Sequence, residues 1–307
     1  MTLWFGRIYS QPEGTEMDIW VILNPLIRAL LYGTCFVVTG TLLFAFHFKK
    51  YQTPQSLTYC LSLAKNGSVF GLVISATFFL SISGNMGGDF SSIFSPLFLN
   101  LALQTKAAIA AALLLLGFSS FYFSGKMRWP QIEKAIAIGG AVLLLTSFVS
   151  TGHALKTGTF TQILLFFHLV GISFWIGSLL PLLHLSLSSN NANLHLIAHR
   201  FGILAVYYVL GLLVAGAGFT YALLGSDLSL LLSTSYGNVL LAKMATVSTL
   251  LLFGALNKFW CVPKIIKDGP RGARLLRISL KFELLLAVII LCLTSLLSTS
   301  LTLPMGG

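Results

Sequence analysis

Three side chains that could bind a soft metal ion stand near one side of the predicted membrane spans. Met86 lies among glycines in the segment Ser83–Asp89, His153 follows in a Thr-Gly-His-Ala segment, and His168 lies inside a later apolar stretch. A thioether combined with imidazoles suits Cu(I), whereas hard cations need clustered carboxylates, and the sequence shows no such cluster. These residues are candidate copper ligands. The alternative is a loop methionine and two histidines that pack and bond to backbone.

The two histidines stand on either side of a predicted helical hairpin, so they are neighbours at different depths. His168 lies deeper than His153 by ~10 Å, at a rise of about 1.5 Å per residue. That separation is too long for one ion unless the hairpin kinks, and it suits two stations on a path. Asn85 beside Met86, and Trp175 on about the same helix face as His168, are further candidate contacts. We expect Trp175 mainly to pack.

Three cations lie inside predicted spans, which makes each a candidate for function. Arg28, Lys106 and Lys243 are each predicted ~9–14 Å from the outer face, at about 1.5 Å per residue. Long basic side chains also snorkel to an interface, and this alternative remains open. Their shared depth favours a common polar cavity for an anion, a lipid headgroup or a cofactor carboxylate.

Glu283 is predicted near the inner end of the last span. Its neighbours in depth are Asn257, Lys258 and Arg200. A structural ion pair with one of these is the simpler interpretation, and a proton-coupling carboxylate is the other.

His47 and His184 lie near the inner ends of two spans and form a possible inner site. They could pair across the bundle, but histidines are also common at membrane interfaces. Four scattered cysteines show no metal-binding or disulfide spacing. They are Cys35, Cys60, Cys261 and Cys292.

These residues must be positioned by helices that lie in lipid. The chain has 307 residues, of which 56% are hydrophobic and only 9% charged, and its mean hydropathy is +0.89. A soluble domain carries about 25% charged residues, and a chain of this length could not hide so much apolar surface from water. The fold class is therefore all-α, a polytopic transmembrane bundle in a lipid bilayer.

A spanning helix needs about 20 apolar residues, and about eight stretches qualify. The predicted spans are Ile19–Phe48, Gly67–Ser83, Leu97–Phe123, Ile132–Ser150, Phe160–Leu187, Phe201–Leu224, Gly237–Trp260 and Leu276–Leu301. Residues 1–17 form a short outer tail without signal-peptide features, Met17 being an alternative start, and residues 18–307 form a single transmembrane domain.

The positive charges predict the orientation. Fourteen Lys and Arg residues fall on one side of the predicted spans and two on the other, which predicts that both termini lie outside. The net charge of +11 therefore reflects topology, and no nucleic-acid partner is expected. No Walker, dinucleotide-binding or HExxH motif occurs, so ATP-driven pumping and soluble redox folds are unsupported.

Several loose motifs in order resemble the CopD (PcoD) copper-resistance membrane family. They are Thr151–Ala154 (TGHA), Phe167–Leu183, His199–Gly218, Thr234–Phe259 and Leu275–Pro304, joined in the first half by Arg28 and by the GNMGG segment with Met86. The resemblance implies an eight-helix protein of the bacterial inner membrane that handles periplasmic copper, import being favoured. It also implies a separate periplasmic CopC-like copper-binding partner, because no such domain is present in this chain.

Three functions follow as hypotheses. The first is copper transport, with copper received by Met86 and His153 and passed to His168. Glu283 and the His47/His184 pair would shape the inner exit. The second is a membrane redox protein using haem b or a quinone, in which histidines ligate iron and the buried cations face propionates. The third is a scaffold or sensor subunit without transport. An enzyme is expected only under the second.

Overall fold

The computed structural model describes residues 19–124, 130–151, 158–188, 193–224 and 229–301. Within these residues the chain is helical and shows no strand, and eight helices are long and apolar enough to cross a membrane. The predicted fold class and number of spans are confirmed. The outer tail at 1–17 lies outside the described residues, and the outside placement of the termini stays a prediction.

Eleven helices occur in the described ranges. They are α1 (Trp20–Phe48), α2 (Pro54–Gly87), α3 (Pro96–Leu103), α4 (Lys106–Ser124), α5 (Pro130–Val149), α6 (Thr159–Leu187), α7 (Leu194–Leu224), α8 (Leu230–Ser233), α9 (Ser235–Leu256), α10 (Val262–Lys267) and α11 (Gly269–Thr299). A 3₁₀ turn at Ser91–Phe94 precedes α3, and a π-helical segment at Asn257–Cys261 joins α9 to α10.

Helices α1 and α6 cross at the centre of the bundle through two glycines. A Cβ atom built on Gly40 would lie 2.6 Å from the Gly177 Cα and would overlap the Ser173 carbonyl oxygen. Only glycines permit such a close approach of two helix backbones in a membrane. Four further helices pack on this pair: α2, α5 and α11 against α1, and α7 and α11 against α6. Helix α4 packs on α2 and α5, and α9 packs on α11.

One side of the bundle, here called the basic end, gathers the helix termini that bear positive charge. Lys49 and Lys50 follow α1 there. Arg200 near the start of α7 stacks on Tyr51, at 4.5 Å from its ring centroid. Arg277 of α11 donates to the Ser186 carbonyl near the end of α6 at 2.5 Å. The other side is called the opposite end, and α1 begins and α11 ends there.

Helices α7 and α11 begin seven residues before the predicted spans, at Leu194 and Gly269, and two other predicted spans differ more. Helix α2 begins at Pro54, well before Gly67, because Thr53 caps it by accepting a hydrogen bond from the Ser56 N–H at 3.2 Å. Its first turns are polar, so hydropathy did not include them. The third span is broken: α3 ends at Leu103 and α4 begins at Lys106.

The segment between the last two predicted spans, residues 261–275, is largely helical. The π segment and α10 continue α9 to Lys267. The Asp268 side chain accepts the Arg271 N–H at 3.3 Å and so caps α11. An aspartate in this position also favours the helix dipole.

Candidate functional site

His168 is held against α7 by a hydrogen bond to backbone. Its Nδ1 lies 3.1 Å from the Leu212 carbonyl oxygen, which can only accept, so Nδ1 bears the proton. This leaves Nε2 with the lone pair that a metal would use. Gly216 makes room for the ring, because a Cβ built there would lie 3.1 Å from His168 Cε1. The imidazole is therefore oriented as a ligating histidine would be.

Lys243 of α9 is the charged neighbour of this imidazole. The positive charge of Lys243 acts on the His168 imidazole through the Coulomb interaction, and both side chains are half-buried. A neighbouring ammonium opposes the binding of a cation. Copper bound at His168 would therefore be held less tightly than at an uncharged site.

Met86 lies in a different setting. The sequence predicted a loop there, but Asn85 and Met86 belong to the last turn of α2, which Gly88 ends in the left-handed conformation with φ 82°. Asn85 accepts a hydrogen bond from Asn24 Nδ2 of α1 at 3.0 Å. Met86 is 42% exposed, so its thioether is accessible at the opposite end of the bundle.

The structure does not bring Met86 and His168 together. His168 lies nine residues before Gly177 on α6, about half a turn around the helix at 3.6 residues per turn. Gly177 faces α1, so His168 faces away from α1, whereas α2 packs chiefly on α1 and α4. His153 lies outside the described residues. Within the described ranges no group of three His, Cys, Asp or Glu side chains could hold a metal ion.

The three cations have separate surroundings. The Arg28 guanidinium carbon lies 5.3 Å from the centroid of the Phe78 ring on α2, whereas Lys243 lies near His168. Lys106 is the exposed first residue of α4. Its predicted position about nine residues inside a span was wrong, because the break after Leu103 starts a new helix there.

Each inner histidine has its own aromatic partner. His47 Nε2 lies 2.9 Å from the Tyr208 hydroxyl of α7. His184 stacks on Tyr59 of α2 with 3.7 Å between ring centroids. No hydrogen bond or ring contact joins the two histidines in the described part of the chain, and neither tyrosine was singled out from the sequence.

Glu283 is fully buried, at 1% exposure, and is held by neutral donors. Trp175 Nε1 donates to Oε2 at 3.3 Å, and the Asn257 amide donates to Oε1. The predicted proximity of Asn257 is confirmed, but no ion pair reaches the carboxylate within the described residues. Trp175 also packs on Gly254, where a Cβ would lie 3.1 Å from its ring. It therefore both packs, as expected, and positions the carboxylate.

Comparison with known proteins gives the family. The model of copper resistance protein D matches residues 195–297, and that of the copper resistance protein D-like N-terminal domain matches residues 17–163. The chain belongs to the copper resistance protein D family. The resemblance found in the sequence is thereby confirmed.

One member of the copper resistance protein D family is a bacterial protein that is similar to this chain. Inner membrane protein YebZ of Escherichia coli (strain K12) is 27% identical over 253 residues, covering 78% of this chain and 84% of the relative. No solved structure matches the chain. The N-terminal model contains Arg28 and Met86 as well as His153, whereas the second contains Asn257 and Glu283. His168 lies between the two matched segments.

Proposed function

We propose that this protein binds copper at the opposite end of the bundle and moves it across a bacterial inner membrane, import being the favoured direction. Family membership supports copper as the substrate, and the inner-membrane location follows the name of the E. coli relative. The charge pattern supports a cytoplasmic basic end. The opposite end would then face the periplasm and a CopC-like copper-binding partner.

The observation on which the proposal chiefly depends is the orientation of His168. A ligating histidine commonly donates the N–H of its second ring nitrogen to a carbonyl, and His168 donates Nδ1–H to the Leu212 carbonyl. Met86, which is accessible, and His153 would receive copper, with Cu(I) favoured by the thioether. Lys243 weakens cation binding at His168, which suits a site that passes copper on.

The test compares His168→Ala with the wild type in detergent, by metal analysis and a visible spectrum on one sample. His199→Ala is the matched control, because His199 is an exposed histidine in the first turns of α7. We expect wild type and control to bind near-stoichiometric Cu(I) without a Soret band, and His168→Ala to lose it.

Other outcomes would select the other hypotheses. A Soret band would favour a haem protein. Absence of copper at any loading, together with a copper phenotype that follows deletion but not His168→Ala, would favour a scaffold or sensor subunit.

A further inference from the structure

A cavity of about 240 Å³ lies in the basic-end half of the bundle, away from His168. Its walls come from α6, α7, α11 and the junction of α9 with the π segment. Helix α7 packs on α6, and α9 packs on α11, so a gap remains between α7 and α9. Val206 and Phe259 border the cavity and are exposed, so the cavity reaches the lipid-facing surface.

The deep wall of this cavity is polar, whereas the rest is apolar. Trp175, Asn257 and Glu283 form this wall. Asn257 gives its amide N–H to the carboxylate, which fixes the amide orientation. Its Oδ1 is buried and has no hydrogen-bond partner among the residues that the structure describes, and the whole residue is only 9% exposed. A buried acceptor without a partner is unfavourable, so a ligand that donates a hydrogen bond here is favoured.

Asn257 is the first residue of a π-helical turn. The Val262 N–H bonds to the Asn257 carbonyl, a five-residue spacing that widens the helix. Such bulges are rare and occur frequently at functional sites. Without this turn, the residues after Asn257 would follow the regular register of α9.

The groups at the deep wall select the chemistry of the ligand. Glu283 accepts the Trp175 N–H and one of the two Asn257 amide N–H groups. Among the described residues of this wall, the buried polar atom left without a partner is Asn257 Oδ1, which is an acceptor. A phosphate headgroup would meet the carboxylate as a like charge. Lys258 borders the cavity, but its ammonium lies over Phe259, at 5.6 Å from the ring centroid.

The size and walls indicate a ring. Pockets for drug-sized ligands measure about 300–1,000 Å³, so this cavity holds a headgroup while a hydrocarbon tail leaves between α7 and α9. Trp175 and Phe201 give it aromatic walls. We propose that this cavity binds the hydroxyl-bearing ring of a membrane-dissolved quinol, which donates to Asn257 Oδ1 and Glu283. The proposal is independent of copper binding.

The test measures binding of decylubiquinol and of its oxidised quinone to the full chain in nanodiscs, anaerobically, by titration calorimetry. The quinone has only acceptors and would leave Asn257 Oδ1 without a partner. The cost of one such group corresponds to a preference for the quinol of about tenfold or more. Monooleoylglycerol, a neutral lipid alcohol, serves as the competing donor.

Two variants locate the site. Ala205→Phe fills the cavity from α7 and leaves the three residues of the polar wall unchanged, and we expect quinol binding to weaken at least about tenfold. Val214→Phe is the control on the same helix, because Val214 is 71% exposed and does not line the cavity. Asn257→Leu removes the Oδ1 acceptor and leaves Glu283, so it should reduce the preference in affinity for the quinol over the quinone.

Three results would overturn the proposal. They are equal affinity for quinone and quinol, displacement of the quinol by monooleoylglycerol at matching concentration, and unchanged binding by Ala205→Phe. Ala205→Phe decides the matter even if Asn257→Leu does not fold.

Discussion

Gly216→Ala perturbs the orientation of His168 without removing any ligand. The added Cβ would lie 3.1 Å from His168 Cε1 and 3.3 Å from Nδ1, against about 3.5–4.0 Å for a relaxed contact. The ring must therefore retreat by a few tenths of an ångström, away from a carbonyl that is already 3.1 Å from Nδ1. At ~3.5 Å a hydrogen bond is largely lost. Loss of such an orienting partner costs about 10–100-fold in metal affinity.

The assay is competition for Cu(I) against a chromophoric chelator, with the purified protein and its Gly216→Ala and Gly211→Ala variants. A Cβ on Gly211 meets nothing within 4 Å, so this control shares the helix and the chemical change but not the contact. Replacing a helical glycine by alanine is itself stabilising by about 1 kcal/mol, so poorer folding would not explain a loss. Equal copper affinity in all three proteins, while His168→Ala binds none, would refute the role given to the Leu212 carbonyl.

Two further predictions concern packing and pH. Gly177→Ala should destabilise the bundle by about 1–3 kcal/mol through overpacking, because its Cβ would lie 2.6 Å from the Gly40 Cα. The control is Gly139→Ala, whose Cβ meets nothing within 4 Å and which should not lower the thermal midpoint. Equal thermal midpoints for the two variants would contradict the close crossing of α1 and α6. Hydrogen bonds from Ser92 hold the pKa of Asp89 below its ordinary value. The stability they contribute is therefore complete above the unfolded pKa near ~3.9 and is lost as pH falls through the lower folded pKa. Ser92→Ala should raise that pKa in an NMR titration, and an unchanged titration would show that these bonds do not hold it.

The number of spans could be predicted because apolar length alone determines it. The length of an apolar stretch does not show where a helix begins when its first turns are polar, as at Pro54. It also does not show where a helix breaks inside an apolar stretch, as before Lys106. Both depend on local capping. Thr53 caps α2, and the Thr105 hydroxyl accepts the Ala108 N–H at 3.1 Å at the start of α4. Threonine followed by a helix is a signal that could have located both.

The candidate site was predicted as residue types but not as an arrangement. Depth along a helix can be counted, so Asn257 was correctly placed level with Glu283. The direction of a side chain around the bundle depends on which helices are neighbours, and the sequence does not provide that. Met86 and His168 therefore looked like partners, although they lie on different sides of the central pair. Glycines such as Gly216 determine which ring fits where, and only the packed structure identifies their contacts.

The same helix faces form both sites. On α6, Trp175 follows His168 by seven residues, nearly two full turns, so both face the same way. On α9, Gly254 follows Lys243 by eleven residues, about three turns, and it packs on Trp175. A displacement of α6 against α9 would therefore change the surroundings of His168 and the hydrogen bond from Trp175 to Glu283 together. Occupancy of the cavity, which α6 and α9 both line, is thus able to affect His168, the proposed copper ligand, two turns away through rigid helices alone.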